Sequence, residues 1–217
     1  MADWVTISSL ATAGGTLVLA VATFSSVRSA NRSARIAEQS LLVGLRPVLI
    51  PSREEDPVER IRFRDGVFVS VPGHGAAVMA DKDTVYLAIG VRNGGSGLAV
   101  LHGWRPRLRE ESDEVPDVEE FRRQQLDIYI PAGDTGFWQG ALRDPSEAGY
   151  AEVREALDAA EPIQVDLLYG DHEGGQRTIA RLILSAWPDD GEPIPNTQRT
   201  TLLRYFNVDR QNPRYPR

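Results

Sequence analysis

The chain has no cysteine, one lysine (Lys82), two methionines and three histidines among its 217 residues. Without cysteine there can be no disulfide, no thiolate metal site and no thiol for a lipid anchor. The three histidines, His74, His102 and His172, are little material for metal or acid–base chemistry. Catalytic motifs are missing too. Gly95-Ser96-Gly97 lacks the spacing of a nucleophile elbow, and no H-E-x-x-H pair exists. The glycine-rich run Asn93-Gly-Gly-Ser-Gly97 has neither a Lys-Ser/Thr tail nor a helix pattern after it. It therefore reads as a turn between strands, not as a phosphate cradle.

The most informative absence is of charge. Trp4 to Val27 runs 24 residues without one ionisable side chain. As a helix this stretch is roughly 36 Å long, against about 30 Å for the hydrocarbon core of a bilayer. Its Ser and Thr hydroxyls can bond back to the helix's own carbonyls. We expect a single transmembrane helix over residues 1–27. Trp4 and Phe24 lie near its two ends, where aromatic rings favour the interface, and Arg28, Arg32 and Arg35 follow directly. An excess of Arg marks the cytoplasmic side, so the expected topology has the N-terminus outside and the remainder of the chain in the cytoplasm. A cleaved export signal competes with this reading, because Ala20-Val21-Ala22 resembles a cleavage site. Only Met1-Ala2-Asp3 stands where a basic n-region belongs.

Beyond the apolar run, Val27, Ala30, Ala34, Ala37, Leu41 and Leu45 recur at helical spacing. A juxtamembrane helix is expected over 28–46, ended by Gly44 and Pro47. Its apolar stripe, with Ala11-x-x-x-Gly15 in the membrane, would suit a homo-oligomer formed through the N-terminal helix.

Charge divides the chain. Residues 1–50 hold four Arg against Asp3 and Glu38, or +2, so residues 51–217 carry −9 of the overall −7. An acidic domain is a poor partner for nucleic acid, whose binding depends on neutralising phosphates.

From residue 47 onward the pattern is of short strands and turns. Arg60-Ile-Arg-Phe-Arg alternates polar and apolar side chains, Asp65-Gly66 is a turn signal, and Val67-Phe-Val-Ser-Val is the return strand. Thr84 to Asn93 and Leu98 to Arg109 read as strands flanking the glycine-rich run. Pro116 to Gln125 reads as a short helix carrying Phe121, after an acidic loop at 110–117. Strands follow at 126–130 and 136–142 around a Pro131-to-Asp134 turn, and Ser146 caps a helix running to Ala160. Pro162–Gly170 and Arg177–Ala186 form a hairpin, and Thr197–Asn207 is a last strand. About ten short antiparallel strands predict a mainly β fold, an antiparallel sandwich over 47–210 with one or two inserted helices, then a disordered tail at 211–217.

Three features occur together: Asn93-x-Gly95-x-Gly97-x-Ala99 at a strand end, Pro131-Ala-Gly133 before a strand, and Tyr169-Gly-Asp171 before Arg177-Thr178. In this the chain resembles uncharacterised small bacterial single-pass membrane proteins with an N-terminal helix and an immunoglobulin-like β-sandwich. The resemblance spans residues 1–186 and implies a fold without an activity.

Asp171-His172-Glu173 is the densest group of potential ligands, but neighbouring side chains on a strand face opposite ways and a turn exposes all three. It reads as a solvated turn, and His102 as a packed residue. Trp104, Trp138 and Trp187 read as core. The sequence therefore predicts no cofactor, no metal and no catalysis. It predicts a membrane-tethered interaction or scaffold module whose partners are the lipid bilayer and an unidentified protein. An extracytoplasmic or secreted binding domain is the first alternative. A hydrolase or metal enzyme using Asp171, His172 and His102 is the second.

Overall fold

Residues 3–107, 114–188 and 195–209 are described by the computed structural model. The expected tail at 211–217 and residues 110–113 of the acidic loop lie outside them. The chain divides into two compact units, residues 1–44 and 45–217.

The first unit is one continuous helix, α1 (Trp4–Gly44), so the apolar run and the juxtamembrane stripe form one element. Within it the hydroxyls of Thr12, Thr16 and Thr23 donate to the carbonyls of Ser8, Thr12 and Leu19 at 2.8–2.9 Å. Its large apolar side chains, among them Leu10, Leu17, Leu19 and Phe24, are exposed. It is one helix long and apolar enough to cross a membrane.

The second unit is mostly antiparallel sheet. Its strands are β1 (Leu49–Pro51), β2 (Glu59–Arg62), β3 (Phe68–Val71), β4 (Gly75–Asp81), β5 (Thr84–Asn93), β6 (Ala99–Arg107), β7 (Arg122–Ile130), β8 (Thr135–Leu142), β9 (Ile163–Gly170), β10 (Thr178–Ser185) and β11 (Thr197–Asn207). A second helix, α2 (Tyr150–Asp158), lies between β8 and β9. Nine strands form one sheet in the order β8, β5, β4, β11, β10, β9, β6, β7, with β1 continuing the β4 side of β5. The sheet curls into a half-barrel. The expected arrangement of two facing sheets is thus replaced by one long curled sheet and a separate two-stranded hairpin, β2–β3.

Both faces of this sheet are covered, which explains the near-continuous burial of β5 and β9. Val85, Leu87, Ile89 and Val91 of β5 join the main core inside the curl, where Tyr150, Val153 and Ala156 of α2 also lie. Tyr86 and Ala88 face outward and are covered by Ile61, Phe63, Val69 and Val71 of the hairpin. Leu168, Ile179 and Phe206 form a third cluster on the outer face, packed by Val115, Val118 and Phe121.

Several expectations are corrected. The two strands flanking the glycine-rich run do not pair with each other: β5 pairs with β1, β4 and β8, and β6 with β7 and β9. Residues 75–81 form a strand in a stretch to which the sequence assigned none. The helix expected at 116–125 is a single 3₁₀ turn at Val118–Glu120, after which β7 begins. Ser146 does not cap α2. It binds Asp144 Oδ1 through its backbone N–H and its hydroxyl, both at 2.8 Å, and the helix starts four residues later behind Gly149 at φ +82°.

The glycine-rich run has a structural task instead. The chain enters the domain through Arg46 to Val48, held by bonds from Gly94 N–H to the Val48 carbonyl (2.8 Å) and from Ser96 N–H to the Arg46 carbonyl (3.2 Å). Asn93, fully buried, organises the loop. Its Nδ2 donates to the carbonyls of Gly97 and Ile130, and its Oδ1 accepts from Gly95 N–H and Val48 N–H. All four hydrogen-bonding positions of the amide are filled, as a buried Asn requires.

Candidate functional site

The two edge strands of the half-barrel are consecutive in sequence. β7 and β8 are joined by the Pro131–Asp134 turn, with Gly133 at φ +81°. Yet β7 pairs only with β6, and β8 only with β5, among the described residues. They are the splayed arms of an open hairpin. One side chain crosses the gap: Gln124 donates to the Gln139 carbonyl (2.9 Å) and accepts from Trp138 Nε1 (3.1 Å).

Between the arms lies a cleft of about 840 Å³. Its floor is Trp104, which packs edge-to-face on the buried Trp138 with ring centroids 5.1 Å apart. Gly140 keeps this floor low, because a Cβ there would stand 2.6 Å from Trp138 and 2.8 Å from Trp104. Trp104 and Trp138 are therefore core residues, as the sequence suggested, and Trp104 also forms the base of a cavity.

The walls are basic. Arg62 and Arg64 come from the β2–β3 hairpin, Arg122 and Arg123 from β7, and Arg143 from the end of β8. Two of the five are committed. Arg122 pairs with Glu147 and lies 5.3 Å over the Trp104 ring. Arg143 pairs with Asp65 at 3.1 Å. Desolvation opposes ionisation of Asp65, but the Tyr86 hydroxyl (2.8 Å) and the Arg143 guanidinium outweigh it and hold the carboxyl below its ordinary range. These two ion pairs pin the cleft walls to the α2 approach and to the hairpin. Arg64 and Arg123 are exposed and have no ion-pair partner among the described residues, and Arg62 is exposed beside the Phe68 ring. The cleft thus presents three uncompensated positive charges on a domain that is strongly negative overall. Gln139 Oε1, on the cleft wall, is buried without a hydrogen-bond donor among the described residues.

The residues singled out from sequence lie elsewhere. Asp171 is buried and accepts from Gly175 N–H (2.9 Å) and Gln176 Nε2 (3.2 Å), so it builds the β9–β10 turn. His172 and Glu173 are exposed on that turn. His102 is half-buried beside Gly170, and its Nε2 has no hydrogen-bond partner among the described residues. Burial and the nearby Arg177 lower its proton affinity, outweighing Asp171 and Asp127, and favour the neutral ring. No group of three potential metal ligands occurs among the described residues. Trp187 donates to Thr197 Oγ1 at 3.2 Å, remote in sequence from the cleft strands. Trp4, Phe24, Arg28, Arg32 and Arg35 are all exposed on α1.

Sequence reasoning missed the cleft because its arginines come from three separated segments. Arg60-Ile-Arg-Phe-Arg was legible as a strand, whereas Arg122 and Arg123 fell within the helix expected at 116–125, and only the pairing of the sheet brings the two groups together. No protein-family model, curated protein or solved structure matches this chain.

Proposed function

We propose that this protein is a single-pass membrane-tethered interaction module, non-catalytic, that holds an anionic partner in the cleft between β7 and β8. The observation that carries this reading is the convergence of five arginines, three of them uncompensated, on one concave surface of an acidic domain. Such a site focuses a positive potential where the surrounding surface repels anions, so it selects for short or locally acidic ligands. The cleft also falls within the usual size of ligand sites, about 300–1,000 Å³. The anchor reading is supported by the length and apolarity of α1, and the cytoplasmic side by the excess of arginine at Arg28, Arg32 and Arg35. The non-catalytic reading is supported by the groups that acid–base chemistry would need. Asp171 is committed to its turn and His172 is in solvent.

The test is binding of labelled poly-L-glutamate to the full chain in nanodiscs of uncharged lipid. Binding should weaken as salt is added and fall about ten-fold or more in the Arg64→Glu/Arg123→Glu variant. Equal binding by the variant would remove the cleft from the function.

A further inference from the structure

We infer that the occupant of the cleft is an extended acidic peptide segment of a partner protein, added as a strand to the free edge of β8. This rests on the cleft being the ligand-binding surface and specifies how the ligand is held.

The first ground is the edge itself. β8 (Thr135–Leu142) has eight residues, none of them charged, and none is proline. Natural sheets protect exposed edges with Lys, Pro, bulges or a covering segment, because an open row of N–H and C=O groups invites strand addition. Among the described residues β8 has no such device, although it is paired over its whole length on its inner side with β5. The edge direction is fixed by two bonds. The Gln139 carbonyl accepts from Gln124 across the gap, and Arg143 N–H is capped by Glu147 Oε1 at 2.7 Å. Backbone groups alternate along an antiparallel strand. Phe137, Gln139 and Ala141 therefore present their N–H and C=O groups to the cleft.

The second ground is the stand-in. The Gln124 side-chain amide reproduces one rung of the missing ladder. It donates to a backbone carbonyl on β8 and accepts from Trp138 Nε1. A primary amide is the side-chain analogue of a peptide group, so a peptide strand can take over its bond to Gln139. Gln139 Oε1, buried without a donor, gains one if a peptide N–H approaches.

The third ground is charge. Arg62 and Arg64 project from the hairpin on one side and Arg123 from β7 on the other. Alternate side chains of an added strand point to opposite faces, so one set meets the arginines and the other the Trp104 floor. That fits a segment in which acidic and apolar residues alternate. A nucleic acid would carry its charge on beyond the cleft and over the acidic remainder of the domain, where it is repelled.

The probe is a fluorescein-labelled octapeptide of alternating Val and Glu, titrated at low ionic strength against the full chain in uncharged nanodiscs. Two companion peptides are N-methylated at every second amide, one in each phase. They keep all the charges but lose the donors on one edge. Tight binding of the parent is expected, with at least about ten-fold loss in one N-methylated form and in the Arg64→Glu/Arg123→Glu variant. If both N-methylated peptides bind like the parent while the arginine variant still weakens them, the cleft is an anion site without strand addition. The inference is then overturned and the proposed function stands. Failure of both the parent and poly-L-glutamate to bind overturns both. A thymidine oligonucleotide that binds more tightly than the parent also overturns the peptide as occupant.

Discussion

Asp166 sits in the middle of the mostly apolar strand β9, and it is completely buried. The sheet register explains how it is tolerated. Arg105 lies opposite it on β6, and Arg181 opposite it on β10. Arg181 grips both carboxylate oxygens, at 2.9 and 3.0 Å, and Arg105 adds a third bond at 3.1 Å. Arg105 also pairs with Glu120 and lies 5.3 Å over the Phe121 ring, while Arg181 lies 4.7 Å over Phe206. The short segment around the 3₁₀ turn is thereby fastened to the outer face of the sheet. Removing one partner of a buried charge cluster leaves the others desolvated and uncompensated, at a cost of about 3–5 kcal/mol. Asp166→Asn should therefore lower the urea midpoint of the domain by that equivalent, with an unchanged m-value, as followed by tryptophan fluorescence of the detergent-solubilised chain. An unchanged midpoint would show that Glu120 alone compensates both guanidiniums. Nothing in the linear sequence pairs Asp166 with Arg105 or Arg181, which are 61 and 15 residues away. The apolar residues around it were legible because burial follows residue type. Its ion partners were not, because register decides them.

Elements were legible where local chemistry decides them and illegible where tertiary pairing does. The β2–β3 hairpin follows from strict alternation and from Asp65-Gly66, with Gly66 at φ +87°. α1 follows from its uninterrupted apolar run, and β11 from its β-branched and aromatic residues. β4 was missed because Gly75-Ala-Ala-Val-Met-Ala has weak strand propensity. It is held by pairing to β5 on one side and to β11 on the other. The 3₁₀ turn was read as a full helix because Glu119 and Glu120 suit a helical first turn. Phe121 instead packs outward into the third cluster, and Arg122 starts a strand. The candidate site depends on such tertiary choices, because β7 and β8 have the sequence of a hairpin but each pairs outward. Gln124 is the side chain that joins them, so Gln124→Ala should loosen the seam without unfolding the sheet. It leaves the buried Trp138 indole N–H without a partner, which costs about 1–3 kcal/mol. Exchange of the Trp138 indole N–H, followed by NMR, should then speed up, while the β8 amides bonded to β5 keep their protection. Deprotection of the β5-bonded amides as well would show that Gln124 supports the whole sheet and not the seam alone.

At the scale of the whole molecule, an apolar helix long enough to span a bilayer continues directly into a domain that fastens the incoming chain at Arg46 to Val48. Arg46 reaches Asn207 of the last strand, so both ends of the described domain meet at that point. Leu49 is bonded from two sides as well. Its N–H donates to the Tyr169 hydroxyl and its carbonyl accepts from the Tyr205 hydroxyl (2.6 Å). Burial pushes the Tyr205 phenol up to about 12, against the pull of Arg46, so it remains a donor at any physiological pH. The side of the membrane on which the domain lies decides which partners its cleft can reach. The sequence supplies a direct test. Lys82 is the only lysine in the chain and is exposed at the β4–β5 turn, at φ +52°. It is therefore the one side-chain amine available to a membrane-impermeant acylating reagent. With the domain in the cytoplasm, Lys82 should stay unmodified in intact cells and become modified after permeabilisation, as read by mass spectrometry of its peptide. Lys82→Arg should abolish that signal and leave the fold intact, since the side chain is in solvent. Modification of Lys82 in intact cells would place the cleft outside. The arginines after the span would then not have set the topology, and the acidic segment that fits the cleft would have to come from an extracytoplasmic partner.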